Sequence, residues 1–408
     1  MRRSPTSHPH RSQVALRCVL LACAFRLTAG VCAQPPSVVV HLLDGRSQRL
    51  QLEAVRFEAP NYRLIRGRAG DRGMEFPADE IWQIDFERGA VSRGSIERIW
   101  LRDGSRLSGR MVRGGEYAGQ PFNYWFDFYE QTGRGLESIA GLTREDPPPG
   151  RLPAGVGGED VLRTLDGDRL VGRLVRLTDD QFLFRSDLGT LTIARSRLKS
   201  LVLAQSDAPP EEPAEKWLLH FVNGDRLVTD AWGRKDQNEI EFRVAGVWQR
   251  TPFDLLSRAL RIGKNTIRLS NRQPERFRME PILAGTRAIT VDEAPGNRPL
   301  RVGDRQYAFG LFLRPNCEME WTMGPNAQRF VAELGIDSAV GNGARATVSI
   351  QVRDGDWSGY TLEGNAEPKR IQLALQPGGA LRLRVRSDEP WGSGAQVVLG
   401  EPMVTRVK

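Results

Sequence analysis

Three aromatic residues near the C terminus, Trp357, Tyr360 and Trp391, stand beside turn formers and not at alternating strand positions. Trp357 and Tyr360 follow Asp354-Gly355-Asp356, and Trp391 sits between Pro390 and Gly392. Aromatic faces set against C–H surfaces, with a few carboxylate and amide hydrogen bonds, are what holds a saccharide. The same side chains would equally serve to cap the ends of a β-sandwich. Other chemistries lack their residues. Beyond the first 33 positions only His41 and His220 remain, 179 residues apart, which argues against a zinc enzyme or a serine hydrolase. A glycosidase needs only a pair of carboxylates; Asp127 with Glu130, or Asp337 with Asp388, would supply one, though neither pair lies in a recognisable motif. Asp337, Asp354, Asp356 and Asp388 are oxygen donors of the kind calcium takes, about six to eight at a time. No loop of closely alternating acids is present, and their glycine neighbours read as turns, so a metal site is left open and no cofactor is expected.

The first 33 residues read as a secretory leader. Arg2, Arg3, Arg11 and Arg17 are followed by an apolar run from Cys18 to Leu27, broken by Arg26, and by the small-residue cleavage site Val31-Cys32-Ala33. The run is shorter than the roughly 20 residues that cross a bilayer, so no transmembrane span is expected after cleavage; an uncleaved anchor is the alternative. Without the leader's five arginines, the 58 basic residues exceed the 50 acidic ones by only three. That surplus is too small to expect nucleic acid or an anionic membrane as partner. Three of the four cysteines also leave, so Cys317 stands alone, reads as a small buried hydrophobe and excludes an intramolecular disulfide.

The remaining chain is built of short apolar/polar alternations such as Ser37 to Leu42, Val161 to Leu165, Trp217 to Val222 and Ala380 to Val385, the period of half-buried strands. The best helical candidate is Asp254 to Leu260. Four segments repeat an apolar strand, Asp-Gly or Asn-Gly, and a second strand; their glycines, Gly45, Gly104, Gly167 and Gly224, recur at intervals of 59, 63 and 57. Such dipeptides between apolar strands signal hairpins, because the turn needs positive φ. Residues 37–263 therefore read as three or four diverged copies of a small β unit. The expected divisions are a leader over 1–33, a β-repeat region over 34–145 with an aromatic-rich insert at 116–139, small β units over 158–205 and 216–263, and a C-terminal domain over 268–408. Proline- and glycine-rich breaks at 147–150, 155–158 and 206–215 separate them.

The C-terminal domain carries seven or eight strand patterns, enough for a two-sheet sandwich or jelly roll. Its residues Tyr307-Ala308-Phe309-Gly310-Leu311-Phe312-Leu313, Glu318-Met319-Glu320-Trp321, Phe330 to Asp337, Gly341 to Gly343 and Val348 to Gly355 resemble the NPCBM family. That is a carbohydrate-binding module family first noted beside glycosidases of family 98. The resemblance covers roughly 275 to 407, about a third of the chain. It departs from the family at Arg314, where members carry histidine, and at Leu399-Gly400-Glu401-Pro402, where they carry Trp-Ala-Asp-Pro. It implies a β-sandwich with a sugar or glycan ligand, and with the aromatics it gives a candidate ligand set of Trp357, Tyr360, Trp391, Arg314, Asp337, Asn342 and Asp388.

The reading is thus an all-β chain, repeated small β-barrel or curled-sheet units followed by a jelly-roll-like β-sandwich. It is expected to be exported to the periplasm, cell envelope or medium, and to bind carbohydrate without catalysing. The alternatives are a structural scaffold contacting other envelope proteins and, behind it, a glycoside hydrolase. A scaffold would not need Trp357, Tyr360 and Trp391 on one exposed face.

Overall fold

Each Asp-Gly or Asn-Gly signal closes a hairpin. Gly45, Gly104, Gly167 and Gly224 have φ of +96°, +94°, +97° and +85°, values that an L side chain resists. In three of the four, the preceding side chain closes the turn on itself: Asp44 Oδ1 accepts from Arg46 N at 2.9 Å, Asp103 Oδ1 from Ser105 N at 2.8 Å, and Asn223 Oδ1 from Asp225 N at 2.9 Å. The computed structural model describes residues 35–58, 62–86, 97–113, 122–126, 129–134, 138–144, 152–153, 155, 158–178, 180–204, 215–236, 238–244, 247–263, 265–279, 289–387 and 395–406. Within these, the side chains of 58, 62–63, 110–113, 122–126 and 129–134 are not described. The leader and most of the aromatic-rich insert, with Asp127 and Glu130, lie outside these described residues and side chains.

The hairpins seed four units. The first holds β1 (Ser37–Leu42), β2 (Ser47–Glu58), β3 (Tyr62–Ala69), β4 (Arg72–Pro77) and β5 (Ile81–Phe86). The second holds β6 (Glu97–Leu101), β7 (Arg106–Arg113), β8 (Phe122–Phe126), β9 (Tyr129–Arg134) and β10 (Ile139–Arg144). The third holds β11 (Asp160–Thr164), β12 (Arg169–Leu177), β13 (Gln181–Ser186), β14 (Gly189–Ala194) and β15 (Leu198–Val202). In the fourth the second strand is split: β16 (Lys216–Phe221), β17 (Arg226–Thr229), β18 (Ala231–Arg234), β19 (Glu239–Val244), β20 (Val247–Pro252) and β21 (Leu256–Ile262). In every unit the first strand pairs antiparallel with both the second and the last. These are curled sheets, and among the described residues none closes into a barrel.

An open last strand would be an edge inviting aggregation, and here it is covered by another unit. β5 pairs with β21 from Asp85↔Arg258 to Gln83↔Leu260, and β10 pairs with β15 from Gly141↔Val202 to Thr143↔Ser200. The first unit thus joins the fourth, and the second joins the third. Phe57 of the first unit stacks on Trp217 of the fourth at 4.3 Å between ring centroids and meets Trp232 at 5.1 Å, so their apolar interior is shared. The helix expected over Asp254 to Leu260 is absent. A short 3-10 turn, Phe253–Leu255, leads into β21, whose period-2 pairing with β16 and β5 overrides the local helical pattern.

The C-terminal domain is a two-sheet sandwich within the same compact body, residues 36–408. Its strands are β22 (Thr266–Arg268), β23 (Arg276–Met279), β24 (Ile289–Val291), β25 (Arg301–Val302), β26 (Arg305–Gln306), β27 (Gly310–Leu313), β28 (Cys317–Thr322), β29 (Ala327–Ile336), β30 (Arg345–Val352), β31 (Ser358–Glu363), β32 (Lys369–Ala374), β33 (Ala380–Ser387) and β34 (Val397–Arg406). One sheet has the order β24-β27-β34-β29-β32 with β22 on β34, the other β23-β28-β33-β30-β31. Met319, Trp321, Phe330, Val348, Ile371 and Leu383 fill the space between them. The outer side of the first sheet is covered: Val331 and Met403, with Ala308 and Phe309, pack on Trp82, Leu218, Val228 and Leu260 of the front units. The outer side of the five-stranded sheet therefore offers the sandwich's open face.

Candidate functional site

That open face is written by strand alternation. Met319 and Leu383 point into the core, so their neighbours Glu318, Glu320, Arg382 and Arg384 point out. Register sets them in rows of alternating sign: Arg276, Glu320, Arg382 and Gln351 in one, Arg278, Glu318 and Arg384 in the next. Arg382 Nε donates to Glu320 Oε2 at 2.7 Å, and its Nη1 donates to Gln351 Oε1 at 3.1 Å. Gln351 Nε2 in turn donates to Gly355 O at 2.7 Å, which pins the turn that carries Trp357. Arg384 Nε donates to Glu318 Oε2 at 2.9 Å, and its guanidinium lies 4.4 Å from the Trp357 ring centroid.

Together these side chains line an open groove of about 350 Å³. It holds an indole, two carboxylates, one amide and four guanidiniums, so it presents apolar surface beside donors and acceptors in fixed positions. Among the described residues, Arg278 has no ion-pair partner, leaving one guanidinium free to receive a ligand oxygen.

Among the described residues, the members of the expected ligand set are not gathered at one place. Trp357 is in the groove. Tyr360 lies opposite Val348, a core position, and packs its half-buried ring on the sandwich interior, so it faces away from Trp357. Asn342 is exposed at the far end of β31, where it accepts a hydrogen bond from Asn365, about 20 Å from Trp357 by strand rise. Asp337 is buried, its Oδ2 accepting from Arg298 Nη2 at 2.9 Å. Arg314 is half-buried, and among the described residues its Nε has no hydrogen-bond partner. Trp391 and Asp388 lie outside the described residues, and with Asp388 one member of the Asp337–Asp388 carboxylate pair. Among the described residues, no three His, Cys, Asp or Glu side chains cluster as metal ligands would.

The groove's charged residues were not singled out from the sequence, although their signal is visible in it. Arg382-Leu383-Arg384 and Glu318-Met319-Glu320 alternate with period 2, but only the pairing of β28 with β33 reveals that the two face each other.

A second constellation joins the sandwich to the front units. Arg370 Nη2 donates to Asp85 Oδ2 at 2.8 Å and to Glu333 Oε1 at 3.1 Å, while Arg305 pairs with Glu333 and approaches Asp85 at 3.7 Å. His41 Nε2 meets Asp85 Oδ2 at 3.2 Å, and Arg258 Nη1 donates to Glu401 Oε2 at 2.5 Å. Burial pushes the Asp85 carboxyl up, but the His41 hydrogen bond and the charges of Arg370, Arg305 and Arg258 hold it well below the usual carboxylate range. These carboxylates are spent on arginines across a packed interface, and the cluster works as a clamp.

No curated protein matches the chain. Among solved structures, it is similar to the CBM51 of Clostridium perfringens GH95 in complex with methyl-galactose, at 15% identity over 34% of this chain and 99% of that one, TM-score 0.30. It is also similar to the CBM51-2 and INT domains of Clostridium perfringens ZmpB with GlcNAc, at 12% identity and TM-score 0.31, where 43% of this chain covers 37% of that one. The tandem CBM51 modules of the Streptococcus pneumoniae family 98 glycoside hydrolase share 11% identity over 60% of this chain and 88% of that one, TM-score 0.30. Residues 266–403 match the NPCBM/NEW2 domain, and the C-terminal third of this chain carries that domain.

Proposed function

We propose that this chain is an exported, non-catalytic carbohydrate-binding protein whose sandwich takes a saccharide in the groove on its five-stranded sheet. The observation that carries the reading is Trp357, held at the rim of a groove lined by Gln351, Glu318, Glu320 and arginines, in a domain of the NPCBM/NEW2 family. An indole edge or face supplies apolar contact for a sugar ring, and fixed carboxylate, amide and guanidinium groups supply hydroxyl partners. Glu318 and Glu320 are each engaged by an arginine, which suits accepting from hydroxyls and does not suit proton transfer to a leaving group. The leader pattern of residues 1–33 supports export.

A glycan array probed with the full chain and with Trp357→Ala tests the reading. Selective binding that the substitution abolishes supports it; equal binding by both proteins moves the sugar site elsewhere. Contact with envelope proteins is the second reading, favoured by Leu165 and Leu188, exposed at 59% and 80% in two turns at the same end of the third unit. It becomes the leading one if no glycan is retained.

A further inference from the structure

From the register of the third unit we infer a second binding surface, a basic strip that takes an acidic polysaccharide. Leu162 with Leu170, and Leu174 with Phe184, fill the core side of β11, β12 and β13, so the residues between them face out. Those outward positions put Arg163 directly opposite Arg169 and Arg173 directly opposite Arg185. Beyond a bulge, Arg176 stands opposite Leu183. Among the described residues, none of these five arginines has an ion-pair partner, and all but Arg163 are exposed. Of the acids in the adjoining turns, Asp166 and Asp168 are engaged by Arg197 at 2.6 and 3.8 Å, and Asp187, two residues beyond Arg185, makes no ion pair among the described residues.

Like charges directly opposite across a strand pair cost stability. Elsewhere, arginines at the surface meet carboxylates: exposed Arg66 meets Glu75 and exposed Arg68 meets Glu53, while half-buried Arg243 meets Asp230 and half-buried Arg382 meets Glu320 on the sandwich. The third unit departs from that pattern twice, in two rows separated by the row of Val171. From Arg169 to Arg176 the strip runs about 23 Å along β12, the shape of a linear polyanion's footprint. Guanidiniums bind carboxylate and sulfate groups with two parallel hydrogen bonds. Half-buried Val171 lies between the two arginine pairs and half-buried Leu183 stands opposite Arg176, apolar patches suited to sugar C–H faces. No described aromatic ring sits among these rows to stack a base, which favours polysaccharide over single-stranded nucleic acid. The strip is separate from the Trp357 groove and does not depend on it.

The test is retention of the full chain on immobilised heparin, with single-stranded DNA and neutral dextran columns in parallel. Retention on heparin that salt reverses is expected, with weaker or no retention on DNA and none on dextran. Arg173→Gln with Arg185→Gln should weaken heparin binding about tenfold while the melting temperature holds or rises, because a repulsion is removed. Arg66→Gln with Arg68→Gln should leave retention unchanged. Unaltered heparin binding by the Arg173/Arg185 variant, no heparin binding at all, or equal or stronger retention on DNA would overturn the inference.

Discussion

Asp85 of the first unit and Arg370 of the sandwich meet at 2.8 Å across the packed junction between them, and Arg370 reaches Glu333 from the same nitrogen at 3.1 Å. The Arg370 guanidinium also lies 5.6 Å from the Trp82 ring centroid. Removing it leaves buried Glu333 and half-buried Asp85 with one fewer counterion, a loss of roughly 3 kcal/mol. Urea unfolding of Arg370→Ala should show that loss, and Asp85→Asn in the same background should add little because the two residues act together. Full additivity of the two changes would mean that the pair is not coupled.

The junction also makes the protein acid-sensitive above the carboxylate range. His41 and His220 both sit below the ordinary histidine value. Burial lowers both, and for His220 the charges of Arg258, Arg226 and Arg106 lower it further, while hydrogen bonding to Asp85 partly opposes the shift in His41. A depressed histidine contributes stability that is present above its unfolded value of about 6.5 and is lost as the pH falls. Glu401, pushed up by burial, acts in the opposite sense, stabilising at low pH and ceasing to do so as pH rises through its folded value. The melting temperature should fall between about pH 6.5 and pH 5, and His220→Asn should flatten that limb. A flat profile across this window in the parent protein would contradict the assignment.

Gly141 marks how closely the second and third units approach. A Cβ there would stand 2.4 Å from the Leu201 carbonyl oxygen and 2.9 Å from a Leu152 methyl. Gly141→Ala should cost about 1–3 kcal/mol, whereas Gly73→Ala, with nothing within 4 Å of its Cβ, should be near neutral. Equal thermal shifts for the two would show that the β10–β15 pairing tolerates separation.

Cys317 is buried beneath the open face, and burial pushes its thiol up to about 12. It should resist a thiol reagent at pH 8 until the sandwich unfolds. Rapid stoichiometric labelling of the native protein would place it at the surface instead.

What could be read in advance follows from how far each signal reaches along the chain. The hairpins were legible because Asp44-Gly45, Asp103-Gly104, Asp166-Gly167 and Asn223-Gly224 impose a turn locally. The all-β class was legible from period 2, and the sandwich from the residues around Gly310 and Asp337. The pairing of last strands between units, β5 with β21 and β10 with β15, was not, since no local pattern names a partner far away in sequence. Asp254 to Leu260 misled for the same reason: tertiary pairing decided it. In the site, Trp357 could be singled out as an aromatic in a turn. Tyr360 looked equivalent three residues on, yet its pairing with Val348 turns it to the core side. Asp337 looked like a ligand and is an internal partner of Arg298.

The most direct test of sugar binding in the Trp357 groove is titration of the full chain with glycans selected on an array, following tryptophan fluorescence and heat, beside Trp357→Ala and Tyr360→Phe. Saturable binding that Trp357→Ala weakens at least tenfold and Tyr360→Phe leaves intact is the expected result. Binding to the same glycans with unchanged affinity in Trp357→Ala would contradict it.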